Sequence, residues 1–174
     1  MKTEIILPEG VSAEIIDNGI KFKGPKGEID WQNPIFGLKW DINDGRIILE
    51  HEELMYLNTA KALVEAKIYG VQNGYWKKMV VRYSHFPIKV KVQGNEVIIE
   101  NFYGEKAPRK AKIVGNTKVE VKGQELLVSG IDKYEVAQTA ANIREATKLH
   151  GRRRKDIRKM QDGIYVSEVS EGYR

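Results

Sequence analysis

Short runs of alternating apolar and polar residues, each closed by a turn signal, fill the first third of the chain and predict strands. Residues 3–7 form the first run, stopped by Pro8 and Gly10. Residues 11–16 and 20–23 flank Asp17-Asn18-Gly19. Asn-Gly between two apolar runs predicts a hairpin, because both central residues of the tight turn take positive φ. Gly24-Pro25-Lys26-Gly27 is a second turn. Residues 28–31 and 38–41 read as strands about a loop with Pro34 and Gly37, and Asn43-Asp44-Gly45 leads into a strand at 46–50. The period then changes. Leu54, Leu57, Ala60, Val64, Ile68 and Val71 recur at three- and four-residue steps, one face of an amphipathic helix, with Gly70 and Gly74 as stops.

The same plan returns. Residues 77–83 read as a strand, 88–92 and 96–100 flank Gln93-Gly94-Asn95, a loop over 103–109 carries Gly104 and Pro108, and 118–121 and 125–129 flank Lys122-Gly123-Gln124. Asp132 stands as the N-cap of a second helix, and Glu135 completes a capping box. Val136, Ala140, Ile143 and Thr147 mark the inner face of this helix and Gly151 its end. NTAKALVEA at 58–66 matches QTAANIREA at 138–146, 80 residues later. An internal repeat of about 80 residues predicts an α+β protein of two tandem domains, residues 1–82 and 83–174, each an antiparallel sheet packed against one helix.

Composition narrows the chemistry. The 174 residues are 41% hydrophobic and 30% charged, values that suit one domain or two small ones. No apolar run approaches the roughly 18 residues of a membrane span. Residues 1–10 offer only a short apolar patch before Pro8, so neither a membrane partner nor a signal peptide is expected. With no cysteine there is no disulfide framework and no thiol chemistry, which fits a reducing, intracellular setting. His51, His85 and His150 stand far apart, no Gly-Lys-Ser/Thr loop opens a helix, and the carboxylates at 41–44 and 52–53 fall in turns and caps. No metal site, cofactor or enzymatic activity is expected.

Charge points elsewhere. The net charge is +5, but residues 1–83 carry 11 Lys/Arg against 12 Asp/Glu, and residues 84–174 carry 18 against 12. Arg152, Arg153, Arg154, Lys155, Arg158 and Lys159 crowd around Asp156. Like charge at that density repels itself unless an anion neutralises it, and a nucleic-acid backbone is the densest anion available. The bland alternative is a solvated tail that aids solubility. A second cluster, Lys106, Arg109, Lys110 and Lys112, surrounds Pro108 in a loop, with Phe102 and Tyr103 just before it. Those aromatics either stack on exposed bases or form core and rim. His150, beside the basic run, joins the phosphate-binding candidates. No helix carries side chains suited to reading a DNA groove, so DNA is not an expected partner; RNA shape and backbone fit better. Free of RNA, residues 151–161 are expected to be mobile and 163–166 to fold back as a strand.

Tyr83-Ser84-His85-Phe86-Pro87-Ile88, Glu100-Asn101-Phe102-Tyr103-Gly104-Glu105-Lys106, Lys155-Asp156-Ile157-Arg158-Lys159 and Asp162-Gly163-Ile164-Tyr165-Val166-Ser167-Glu168 resemble large-subunit ribosomal protein six, in its archaeal and eukaryotic branch. The eukaryotic form is often numbered nine. The resemblance spans essentially the whole chain. It implies two similar α+β domains and a structural constituent of the large subunit in the cytoplasmic ribosome, with no enzymatic activity. It also implies binding to large-subunit ribosomal RNA near the sarcin–ricin loop and stalk base, where translation factors dock, with the RNA held mostly by the second domain and its C-terminal segment. The partners implied are ribosomal RNA, neighbouring ribosomal proteins, and stalk components or translation factors. The competing reading is a basic two-domain module that docks an acidic protein, such as a stalk component or translation factor. A steep salt dependence separates RNA contact from such an apolar protein interface.

Overall fold

Six short strands and one helix form from the first 74 residues: β1 (Lys2–Ile6), β2 (Ser12–Ile16), β3 (Gly19–Gly24), β4 (Gly27–Gln32), β5 (Lys39–Asn43), β6 (Arg46–Glu50) and α1 (Leu54–Asn73). These come from a computed structural model that describes residues 1–153 and 161–173. The strands pair antiparallel as two sheets, β2-β3-β4 and β1-β6-β5. Ile20, Phe22 and Trp31 of one sheet and Ile47 and Leu49 of the other meet Leu57, Ala60, Val64, Ile68 and Val71 of α1 in one buried cluster. Burying a side chain of that size contributes about 1.5–3 kcal/mol, so the helical stripe and the inward strand positions stabilise each other. The helix runs through Gly70 and ends where Gly74 donates its N–H to Gly70 O at 2.9 Å.

The Asp17–Gly19 hairpin forms, but its register differs from the expected one. Ile16 pairs with Gly19, so the two-residue turn is Asp17-Asn18, and only Asn18 takes positive φ (58°). Gly19 belongs to β3, paired with Ile16 and Gln32, and must be glycine there because a Cβ would lie 1.8 Å from the carbonyl oxygen of Trp31.

The second unit repeats the plan: β7 (Tyr75–Arg82), β8 (Lys89–Gln93), β9 (Glu96–Glu100), β10 (Arg109–Lys112), β11 (Lys118–Lys122), β12 (Glu125–Gly130), α2 (Lys133–Ala146) and β13 (Gly163–Val169), with short 3₁₀ turns at Phe102–Gly104, Gly151–Arg153 and Glu171–Tyr173. Its sheets are β8-β9-β10 and β11-β12-β7-β13. In order and pairing, β8-β9-β10 matches β2-β3-β4, and β7-β12-β11 matches β1-β6-β5. β13 is an addition on the outer edge of β7. The chain is therefore α+β, with antiparallel sheets and, among the described residues, one α-helix in each half, as the repeat predicts. Contacts divide it into Met1–Gly74 with Ile131–Lys133, and Tyr75–Gly130 with Tyr134–Arg174.

Two expectations need correction. Residues 109–112 are a strand, not part of a loop, because β10 pairs with β9 from Arg109↔Ile99 to Lys112↔Glu96 and buries Ala111. The second helix stops at Ala146, short of Gly151, because the Thr147 hydroxyl bonds back to the last turn. No helix among the described residues is long and apolar enough to cross a membrane.

Candidate nucleic-acid interface

The C-terminal basic run is held at both ends. Thr147, 1% exposed, donates its hydroxyl to Arg144 O at 3.1 Å and accepts the N–H of Ile164 at 3.0 Å. On the returning side β13 pairs antiparallel with β7, starting at Gly163↔Arg82, and Ile164 is fully buried. That is the fold-back strand expected over 163–166, extended to Val169. Gly163 has φ 148°, and a Cβ there would lie 3.1 Å from Thr147 O, so the crossing tolerates little more than glycine. Arg144 clamps the same place: its Nη1 donates to Thr147 O at 3.3 Å, and its guanidinium lies 4.3 Å from the Tyr165 ring centroid. Residues 148–163 thus leave and return through one neck, carrying seven Lys/Arg and two Asp. One of those acids, Asp162, is buried in the neck, and its Oδ1 accepts no hydrogen bond among the described residues.

The second basic cluster is joined to the neck by one of its own members. Arg109 donates from Nε and Nη2 to the two Glu105 carboxylate oxygens at 2.7 and 2.9 Å. Its Nη1 donates to Ala146 O at 3.1 Å and Lys148 O at 2.8 Å, at the end of α2. The guanidinium also lies 4.6 Å from the Phe102 ring centroid. Four of its five N–H groups are therefore engaged within the fold, one of them on the last carbonyl of α2, at the negative end of the helix dipole. Arg109 fastens the segment before β10 to the outgoing side of the basic run.

The aromatic corner beneath is equally constrained. Asn101 (φ 64°) and Tyr103 (φ 52°) sit in the left-handed region, a cost accepted only where surroundings over-determine the backbone. Asn101 Nδ2 donates to Pro87 O at 3.0 Å, and a Cβ on Gly104 would meet the Phe86 ring at 3.0 Å. Phe102 is buried, with Tyr103 edge-on to it at 4.7 Å. Of the two roles open to these rings, Phe102 fills the core and Tyr103 is its rim. Burial, then the charge of Asp162 and the nearby Tyr165, push the Tyr103 hydroxyl above its usual 10.0, so it stays neutral at physiological pH.

Above this scaffold the cations are exposed. Lys110 and Lys112 face outward on β10, on either side of buried Ala111, and Lys106 is exposed just before the strand. Asn142 Nδ2 donates to Lys112 O at 3.0 Å and Thr139 Oγ1 accepts the Val114 N–H at 3.0 Å, so α2 supports the strand from behind. His150 and Arg152 are exposed next to the neck. Among the described residues, none of Lys106, Lys110, Lys112, His150 and Arg152 has an ion-pair partner. Arg154, Lys155, Arg158 and Lys159 lie outside the described residues, as do the Arg153 side chain and most of the stretch expected to be mobile. No three His, Asp or Glu converge as metal ligands among the described residues. Arg144, Glu105 and Asn142, which position the site together with Thr147, carry no local sequence signal; each acts on groups the fold brings near.

The family described as Ribosomal protein L6 matches residues 86–163, which span the aromatic corner, β10, α2 and the neck. Over 167 residues the chain is 42% identical to large ribosomal subunit protein uL6 of Methanosarcina mazei, covering 93% of both chains. It is 45% identical over 152 residues to the protein of the same name from Archaeoglobus fulgidus, covering 84% of this chain and 76% of that one. Identity at this level over nearly the whole length leaves one reading of the repeated units and their basic second half: the chain belongs to the ribosomal protein L6 family, structural proteins of the large ribosomal subunit.

Proposed function

We propose that the chain is a structural constituent of the large subunit that binds large-subunit ribosomal RNA through its second unit, near the sarcin–ricin loop and stalk base. There it supports the region where translation factors dock. The RNA face consists of Lys106, Lys110, Lys112, His150, Arg152, Arg153, Arg154, Lys155, Arg158 and Lys159. Arg109, first grouped with them, organises that face from below. One observation carries the reading: Arg109 ties the segment before β10 to Ala146 and Lys148, so Lys110 and Lys112, which have no ion-pair partner among the described residues, are joined to the stretch where the basic run of the sequence begins. Arg and Lys so held neutralise phosphates where strands approach each other, with Arg suited to two-point contacts. The first unit, whose residues 1–74 carry 8 Lys/Arg against 12 Asp/Glu, acts as scaffold and faces neighbouring proteins.

The test is a salt titration of binding to a large-subunit RNA fragment carrying the sarcin–ricin region, with an unrelated hairpin of equal length as control. Selective binding with a steep negative slope is expected. Replacing Arg152, Arg153 and Arg154 together by Ala should lower the log–log slope by about two to three, at roughly 0.7–0.9 per phosphate contact, and leave melting unchanged. Equal affinity for both RNAs, or an unaltered slope in the triple variant, overturns the assignment.

A further inference from the structure

We propose that the first unit carries a docking groove for an Arg/Lys-rich segment of a neighbouring protein, centred on Phe36. The Phe36 side chain is 98% exposed, more than any other large apolar side chain among the described residues. Its loop is nevertheless held firmly. Asn33 Oδ1 accepts the Ile35 N–H and Asn33 Nδ2 donates to Ile35 O, both at 2.9 Å. His51 Nδ1 accepts the N–H of Glu53 at 2.9 Å, which leaves the ring proton on Nε2 to be donated to Phe36 O at 3.0 Å. Gly37 (φ 80°) turns the chain against the same imidazole. The backbone of Phe36 is fixed and its ring is presented to solvent. An aromatic anchor ordered before binding loses little entropy on contact, and such anchors dominate interface energies.

Beside the ring lies an open groove of about 870 Å³, with Ile35, Phe36 and Tyr56 among its lining residues and Glu50, Glu52 and Glu53 along it. Lys39 and the Met1 ammonium also line it, so the groove carries three carboxylates against two cations, in a chain whose net charge is +5. None of the three carboxylates forms an ion pair among the described residues. Glu52 and Glu53 also favour the positive end of α1, but Glu50 closes β6 and has no such role. Carboxylates repel RNA phosphate. A segment rich in Arg and Lys answers all the features at once, with cations on the glutamates and guanidinium faces or aliphatic stems against Phe36 and Tyr56. The inference rests on membership of the large subunit and is independent of the RNA face on the second unit.

The experiment uses whole large subunits assembled with the full chain in which Phe36 is replaced by the photo-crosslinking analogue p-benzoylphenylalanine. The expected product is an adduct to another protein, within a segment of net positive charge. Reversing Glu50, Glu52 and Glu53 to Lys should cut the adduct yield by about tenfold or more, since like charges across an interface repel. The melting temperature of the free triple variant reports whether its first unit is intact; if it is not, Glu50→Lys alone, outside the helix, should still lower the yield. An adduct to RNA, to a neutral or acidic segment, or to a second copy of this chain overturns the proposal. So does the absence of any adduct, or a yield indifferent to charge reversal in a folded variant.

Discussion

Arg109→Met separates a clamp from a phosphate ligand. The substitution keeps the length of the stem and removes four hydrogen bonds: two to Glu105 at 2.7 and 2.9 Å and two to carbonyls at 3.1 and 2.8 Å. A hydrogen bond to a charged group contributes about 1.5–3 kcal/mol when well shielded. These bonds act as a unit, and the Arg109 and Glu105 side chains are 24% and 19% exposed, so the full sum does not apply. Discounting for solvent and non-additivity leaves about 2–4 kcal/mol. For a unit of this size that is a fall in Tm on the order of 10–20 °C. Arg109→Lys keeps the charge but not the fork, and should restore less than half of the loss. The assays are differential scanning calorimetry and, well below the new Tm, the same RNA salt titration. The RNA affinity of Arg109→Met should fall while its log–log slope stays within about 0.3 of the parent, because no phosphate contact has been removed. A Tm within about 2 °C of the parent, combined with a slope reduced by nearly one, would refute the clamp and return Arg109 to the RNA face.

Two further outcomes are expected. Gly19→Ala should destabilise the first unit by about 3 kcal/mol or more, because its Cβ would sit 1.8 Å from a backbone oxygen that cannot yield; a urea midpoint equal to the parent's would contradict this. At Glu145, the hydrogen bond from Lys148 and then the charge of that lysine hold the carboxyl below its ordinary 4.5. A depressed folded value makes the pair's small contribution present above the unfolded value and lost as pH falls through the folded one. Carbon-detected titration should place the midpoint below 4.5 and return it towards that value in Lys148→Ala; equal midpoints in the two proteins would exclude the pairing.

The strands and helices were legible where their determinants are local. The stripe from Leu57 to Val71 needed only its own period, and Asp44-Gly45 supplied two positive φ values (49° and 73°) at adjacent residues, as a tight turn demands. The register at Asn18-Gly19 was not legible, because Gly19 is required to be glycine by the close approach of Trp31 O in β4, not by the turn. β10 was hidden by its own charge. Arg109-Lys110-Ala111-Lys112 alternates inward and outward, but with Pro108 before it and three cations in four residues it reads as a basic loop. The exposed cations could be named from composition. The role of Arg109 could not, since the carbonyls it holds lie 37 and 39 residues away.

The two halves share a strand plan, so the plan alone does not explain why one half is assigned to RNA. The difference is in which charges the fold leaves unpaired. β4 and β10 occupy equivalent places, each the outer partner in its three-stranded sheet. On β4 the outward side chains are Glu28 and Asp30, opposite Lys23 and Lys21 of β3. Lys21 and Lys23 both reach Glu28, at 3.5 and 3.7 Å, and neutralise that face within the sheet. On β10 the outward side chains are Lys110 and Lys112, opposite Ile98 and Glu96. Ile98 offers no charge, and Glu96 makes no ion pair with Lys112 among the described residues. On the first face both lysines are paired internally; the second keeps two cations on the strand that Arg109 ties to Ala146 and Lys148, where the basic run of the sequence begins. Desolvating such cations against phosphate releases counterions without breaking any internal pair, whereas the β4 face would first have to give up its own salt bridges.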